Sequence, residues 1–153
     1  MHTFHNPKQI AGPFGHYEHG VETALPGRLM HVSGQIGVAP DGDVPEGIAA
    51  QTKLVWQNIC AVLAEAGMTA QDIVKTNTYI LDRDYVPVLA EMRKRFLGED
   101  HRGASTTLVV SSLVRPGWLV EIDAVAIAPE NSRRAKEAIG LTETSMISLR
   151  RHP

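Results

Sequence analysis

Residues 119–128 alternate in character. Val120, Ile122, Ala124 and Ala126 fall on one side of an extended backbone, and Leu119, Glu121, Asp123, Val125 and Ile127 on the other. Successive strand side chains point to opposite faces. The segment therefore reads as a strand with one small, apolar face and one apolar face that carries two acids. The first face suits a layer of helices. The second needs another cover. A further copy of the same chain is the simplest cover, so this strand predicts a homo-oligomer.

The rest of the chain supplies the helices and the sheet. Ile48, Thr52, Val55, Ile59 and Leu63 recur at helical intervals, which predicts a helix over 46–66. Gly67 suits its C-cap. Over 72–81, Val74, Thr76, Thr78 and Ile80 alternate with Lys75, Asn77 and Tyr79, a strand pattern. Asp84 suits an N-cap, with Pro87 in the first turn, where a missing N–H is harmless. Tyr85, Leu89, Met92 and Phe96 form that second helix's stripe, and Gly98 ends it. Strands follow over 105–111 and 118–128, with a turn at Arg115-Pro116-Gly117-Trp118 between them. Earlier, a strand over 28–33 leads into Ser33-Gly34-Gln35-Ile36. The first 27 residues read as loop with one short strand at 20–23. The order strand, strand, helix, strand, helix, strand, strand predicts an α+β fold, with helices on one face of a mixed sheet.

The 153 residues suit one domain, with a core large enough to need no disulfide. Cys60 is the single cysteine, which fits a reducing compartment. Its place in the helical pattern makes it a small buried hydrophobe rather than a nucleophile. Residues 1–7 lack the basic start and apolar run of a secretory leader. No stretch approaches the roughly 20 apolar residues of a membrane span. The expected location is cytoplasmic, with no membrane partner. Residues 130–153 carry five Lys or Arg and three Glu, a net +2, which leaves −4 for the rest of a chain of net −2. This tail reads as a solvated extension, with a short helix over 133–139 and a frayed end. The acidic body argues against a nucleic-acid partner. The domain is expected over 1–128 and the extension over 129–153.

Glu121 is the leading catalytic candidate. A carboxylate buried among apolar neighbours would have a raised pKa, suited to general acid or base work. Asp123, on the same face, reads as structurally paired. The hydroxyls of Ser105, Thr106 and Thr107 open a neighbouring strand. Gly34 and Gln35 end another, where loops build sites. Tyr17 suits a pocket wall or a hydrogen-bond donor. His31 reads as a half-buried, hydrogen-bonded imidazole. His16, Glu18 and His19 lack further ligands at metal spacing, so no metal is expected. Ser33-Gly34-Gln35 lacks the glycines and lysine of a phosphate loop, and no Gly-x-Ser-x-Gly elbow is present.

In order and spacing the chain resembles the Rid (reactive intermediate deaminase, or YjgF) family. The carriers are Gly12-Pro13-Phe14, Tyr17-Glu18-His19-Gly20-Val21 and His31-Val32-Ser33-Gly34-Gln35-Ile36. Next come the 51–67 helix ending in Glu65-Ala66-Gly67, then Asp72-Ile73-Val74-Lys75-Thr76, and finally residues 120–126. The resemblance implies a chorismate-mutase-like fold and a homotrimer whose sheets line a central barrel. It implies a pocket at each subunit interface for a small-molecule ligand. It also implies hydrolysis of imines and enamines of 2-keto acids, such as 2-aminoacrylate, with no cofactor. By the same resemblance Tyr17 is the pocket tyrosine, Gly34 contacts the ligand through its backbone, and Glu121 holds the attacking water. The family's deaminases grip the substrate carboxylate with an arginine where this chain has Ser105. The resulting expectation is an imine or enamine hydrolase that is not a 2-aminoacrylate deaminase. Its substrate would be less acidic and held by the hydroxyls, although Arg102 lies near enough in sequence to swing in. A non-catalytic metabolite-binding protein is the first alternative. An RNA-cleaving or translation-inhibiting protein is the second.

Overall fold

A computed structural model describes residues 2–5, 7, 20–23 and 27–130. The expected helix over 133–139, Tyr17 and the His16-to-His19 group lie outside the described residues.

Among the described residues, six strands and two α-helices follow one another: β1 (His2–His5), β2 (Gly20–Thr23), β3 (Arg28–Ile36), α1 (Ile48–Glu65), β4 (Ile73–Ile80), α2 (Val86–Leu97), β5 (Ala104–Val109) and β6 (Val120–Ala128). β1 and β2 form an antiparallel ribbon. The sequence reading had loop where β1 lies, because residues 2–5 show no alternation and gain strand geometry only by pairing with β2. The main sheet has the order β3-β6-β4-β5. β6 runs antiparallel to both β3 and β4, while β4 and β5 are parallel. A parallel neighbour needs a crossover, and α2 provides it.

The alternation read from the sequence sets the layers. Val120, Ile122, Ala124 and Ala126 are buried, as are Thr76, Thr78 and Ile80 of β4. Against them pack Val55, Ile59 and Leu63 of α1, and Leu89, Met92 and Leu97 of α2. Small alanines on β6 leave room for the helices, so the core is an interlocked layer rather than a row of large side chains.

Local chemistry fixes the helix ends. Past α1, the Gly67 N–H bonds the Ala64 carbonyl and the Met68 N–H bonds that of Leu63, with Gly67 at φ 67°. This reciprocal pair satisfies carbonyls that the helix leaves open. Arg28 of β3 adds a guanidinium bond of 2.8 Å to the Ala66 carbonyl, a cation at the negative end of the helix. Before α2 the cap differs from expectation. Asp82, not Asp84, turns its carboxylate onto the chain and accepts from the Asp84 N–H at 3.0 Å. Asp84 lies inside a short 3₁₀ turn, Arg83–Tyr85, where its own backbone is the donor.

Candidate functional site

Pairing across the sheet decides which candidates meet. Glu121 of β6 lies between Ile36 of β3 and Tyr79 of β4. It is on the face away from the helices and is half-buried rather than enclosed. β3 slips register between Val32 and Gln35, a bulge that brings Gly34 against Glu121. A methyl group on Gly34 would overlap the Glu121 carboxylate and leave its carboxyl carbon only 2.8 Å away. The acid therefore rests on bare backbone. Past the bulge Gln35 is opposite Ile122, and its amide turns to the Ser33 carbonyl at 3.1 Å.

The two acids of this face have different surroundings. Asp123 accepts from Asn77 Nδ2 at 2.9 Å and from the Tyr79 hydroxyl at 3.3 Å. The Asp123 charge is the main reason the Tyr79 phenol is held above its ordinary pKa, with burial, the hydrogen bond itself and the Glu121 charge adding to it. Asp123 is thus a paired structural acid. Glu121 has no hydrogen-bond donor or cationic partner among the described residues. His31 shares this face of the sheet, opposite Val125, and is exposed rather than half-buried. It lies on an outer strand of the sheet.

The hydroxyls do not join Glu121. β4 lies between β5 and β6, and the period of two splits the run. Thr106 pairs with Asn77 on the acids' face and accepts from Lys75 Nζ at 2.5 Å. Burial is the main cause lowering the Lys75 ammonium pKa; the Asp123 charge opposes it and the Arg93 charge adds to it. Ser105 and Thr107 pair with Thr76 and Thr78, toward the helices. Glu121 and the three hydroxyls therefore do not share one side of the sheet within a single chain. Within one chain Ser105 and Thr107 are on the far side of the sheet from Glu121.

Ser105 and Thr107 line a cavity of about 190 Å³ between α2 and the sheet, together with Trp56, Thr78, Arg93 and Ile122. Arg93 was not among the residues singled out from the sequence. It donates to Thr76 Oγ1 at 3.0 Å and to the Gly103 carbonyl at 3.1 Å. Thr76 Oγ1 in turn bonds Ser105 Oγ at 3.3 Å. Burial pulls the Arg93 pKa below its usual value. A signal for it existed: Arg93 follows Leu89 by four residues, so it belongs to the apolar stripe of α2. Arg102, the residue considered as a substitute cation, is exposed and does not line the cavity.

Cys60 is half-buried, and burial raises its thiol pKa, which disfavours the reactive thiolate. Among the described residues no group of three or more His, Cys, Asp or Glu is placed to hold a metal. No described helix is long and apolar enough to cross a membrane.

Residues 8–128 match the family model described as endoribonuclease L-PSP. A relative from Haemophilus influenzae, a RutC family protein, is 36% identical over 131 residues, covering 83% of this chain and 95% of the relative. A solved Yersinia pestis protein of the conserved Rid family superposes with TM-score 0.70 at 32% identity, covering 82% of this chain and 97% of that one. The chain belongs to the Rid family. A further Rid-family relative, the 2-iminobutanoate/2-iminopropanoate deaminase of Escherichia coli, is 31% identical over 115 residues, covering 74% of this chain and 88% of the relative. Rid-family membership accounts for the mixed sheet with two helices on one face, the α+β architecture expected from the sequence.

Proposed function

We propose that this Rid protein is a hydrolase of a small imine or enamine, with Glu121 orienting or deprotonating the attacking water. The observation that carries the reading is the contrast between the two acids. Asp123 is bound by Asn77 and Tyr79, whereas Glu121 rests on Gly34 with no partner among the described residues. A carboxylate in that position is available to a water or a substrate N–H. The chemistry of the Escherichia coli deaminase supports the same class of reaction.

The split of Glu121 from Ser105 and Thr107 supports a site built from two protomers. In this reading β5 of one chain faces Glu121, Gly34, Gln35 and Tyr17 of another, within a homotrimer. Leu29 and Leu108, 56% and 51% exposed, lie on the face such an assembly would cover. Ser105, Thr106 and Thr107 would then bond the substrate where other family members use an arginine. Nucleic acid remains a poor ligand for a chain of net charge −2.

The test is ammonia release from freshly generated imines and enamines. Glu121→Ala should abolish turnover of any accepted substrate, and retained turnover would refute the role of Glu121. With 2-iminopropionate the native chain should show little acceleration. Ser105→Arg should raise kcat/KM about a hundredfold, as expected from restoring a charge-assisted contact of about 3 kcal/mol.

A further inference from the structure

We propose that the link between α2 and β5, residues 98–103, is held by a proton-sensitive latch at His101. The imidazole bridges two backbone groups of opposite kind. Its Nε2 lies 2.8 Å from the Ile73 carbonyl, and its Nδ1 accepts from the Gly103 N–H at 3.3 Å. A carbonyl can only accept, and an amide N–H can only donate. One form of the ring satisfies both, the neutral imidazole with its proton on Nε2. An imidazolium donates from both nitrogens. Its Nδ1–H would meet the Gly103 N–H, donor against donor, and that bond would be lost. Bare backbone makes the contact possible. A methyl group on Gly103 would come within 2.6 Å of the His101 ring carbon Cε1.

The latch holds more than the link itself. Gly103 is buried and gripped on both sides: His101 takes its N–H, and Arg93 of α2 donates to its carbonyl at 3.1 Å. Arg93 also donates to Thr76 Oγ1, which bonds Ser105 Oγ. Gly98, at φ 88°, begins the link, and Gly98, Glu99 and His101 line the cavity between α2 and the sheet. Releasing the Gly103 N–H therefore loosens the chain that leads into Ser105 and one of the two anchors of Arg93. Charged groups surround the ring from each side. From α2, Arg93 opposes a second positive charge, while Lys94 is ion-paired with Glu99 of the link. Asp100 and Arg102 flank His101 in the chain. Ahead of β4, Asp72 adjoins Ile73 and is engaged by the Thr69 N–H and hydroxyl. The sign follows from the donor pattern: the latch is closed while the ring is neutral and opens as pH falls. It goes beyond the hydrolase reading and does not depend on it.

Imidazole nitrogen resonances of the full chain, assigned by through-bond correlation to the His101 backbone, test the closed state. At about pH 8 the ring should be the Nε2–H tautomer. Amide exchange tests the opening. Imidazoles change charge between about pH 8 and about pH 5. Over that range the protection of the Gly103 amide, relative to an unfolded peptide at the same pH, should fall about tenfold or more. The Ile59 amide of α1 should keep its protection. His101→Gln retains one donor and one acceptor but does not titrate, so its Gly103 amide should stay protected throughout. An Nδ1–H tautomer at the higher pH, a ring still neutral at the lower pH, or Gly103 protection that does not fall with the ring's titration overturns the proposal. So does an equal fall in His101→Gln. The native chain alone decides the first three, even where the variant fails to fold. No imine enters these measurements, so failure of the latch and failure of the hydrolase reading are distinguishable.

Discussion

At the scale of single residues, Gly34 and Glu121 are a matched pair. The overlap a Cβ would create predicts that Gly34→Ala costs about 1–3 kcal/mol. Glu121→Ala in the same chain should recover most of that loss. Thermal unfolding of the two single variants and the double variant measures the coupling, and additive losses would show that the two residues do not meet. Asp123 gives a second prediction. Its charge and hydrogen bond favour the neutral Tyr79 phenol, so Asp123→Asn should lower the pH at which that phenol ionises. Ultraviolet titration of native and variant chains reads this, and an unmoved titration would dismiss the Asp123 contribution. Glu121 was legible from sequence because an acid interrupts an apolar alternation. Arg93 is harder to read, because a lone charged residue within an apolar stripe normally reads as its solvated edge. Only the loop at Gly103 and the hydroxyl of Thr76 turn it inward.

At the scale of elements, one side chain of α1 ties the loops around the sheet. Gln51 is 2% exposed. It donates to the Pro45 carbonyl at 3.1 Å and the Gly117 carbonyl at 2.8 Å, and accepts from the Leu119 N–H at 2.9 Å. The clamp sets where β6 begins, and thus the register that brings Glu121 to Gly34. Gln51→Leu leaves buried backbone groups unpaired and should cost about 3 kcal/mol. Amide exchange at Leu119 should rise more than exchange in α2, and uniform change would argue for general loosening instead. The helices and their apolar faces were readable from periodicity. The clamp was not, because a glutamine four residues before Val55 carries no mark of the partners that the turn at Gly117 brings to it.

At the scale of the whole molecule, the face bearing Glu121 has apolar side chains that no described element covers. Leu29 and Leu108 are more than half exposed, and Val125 and Ile127 are half-buried. Burying such side chains contributes about 25 cal/mol for each Å² removed from water. On the homotrimer proposed above, sedimentation should report three times the chain mass. Leu108→Glu should shift the species toward the single chain while far-ultraviolet dichroism stays unchanged. A native chain that sediments as a monomer would remove the shared-site reading altogether.

What the sequence determined by itself was the two helices, the strands of the main sheet and their inner faces. Period-two and period-3.6 patterns are local, and burial of one face follows from them whatever the neighbours are. It also marked Glu121 as an acid out of place in an apolar strand. The tertiary structure alone decided which candidates share a side. Strand order places β4 between β5 and β6, the bulge at Gly34 seats Glu121 on backbone, and α2 carries Arg93 to the far side of the sheet. Those outcomes depend on pairing between segments distant in the chain. The physical reason is that a one-residue change of register sends every side chain of a strand to the opposite face.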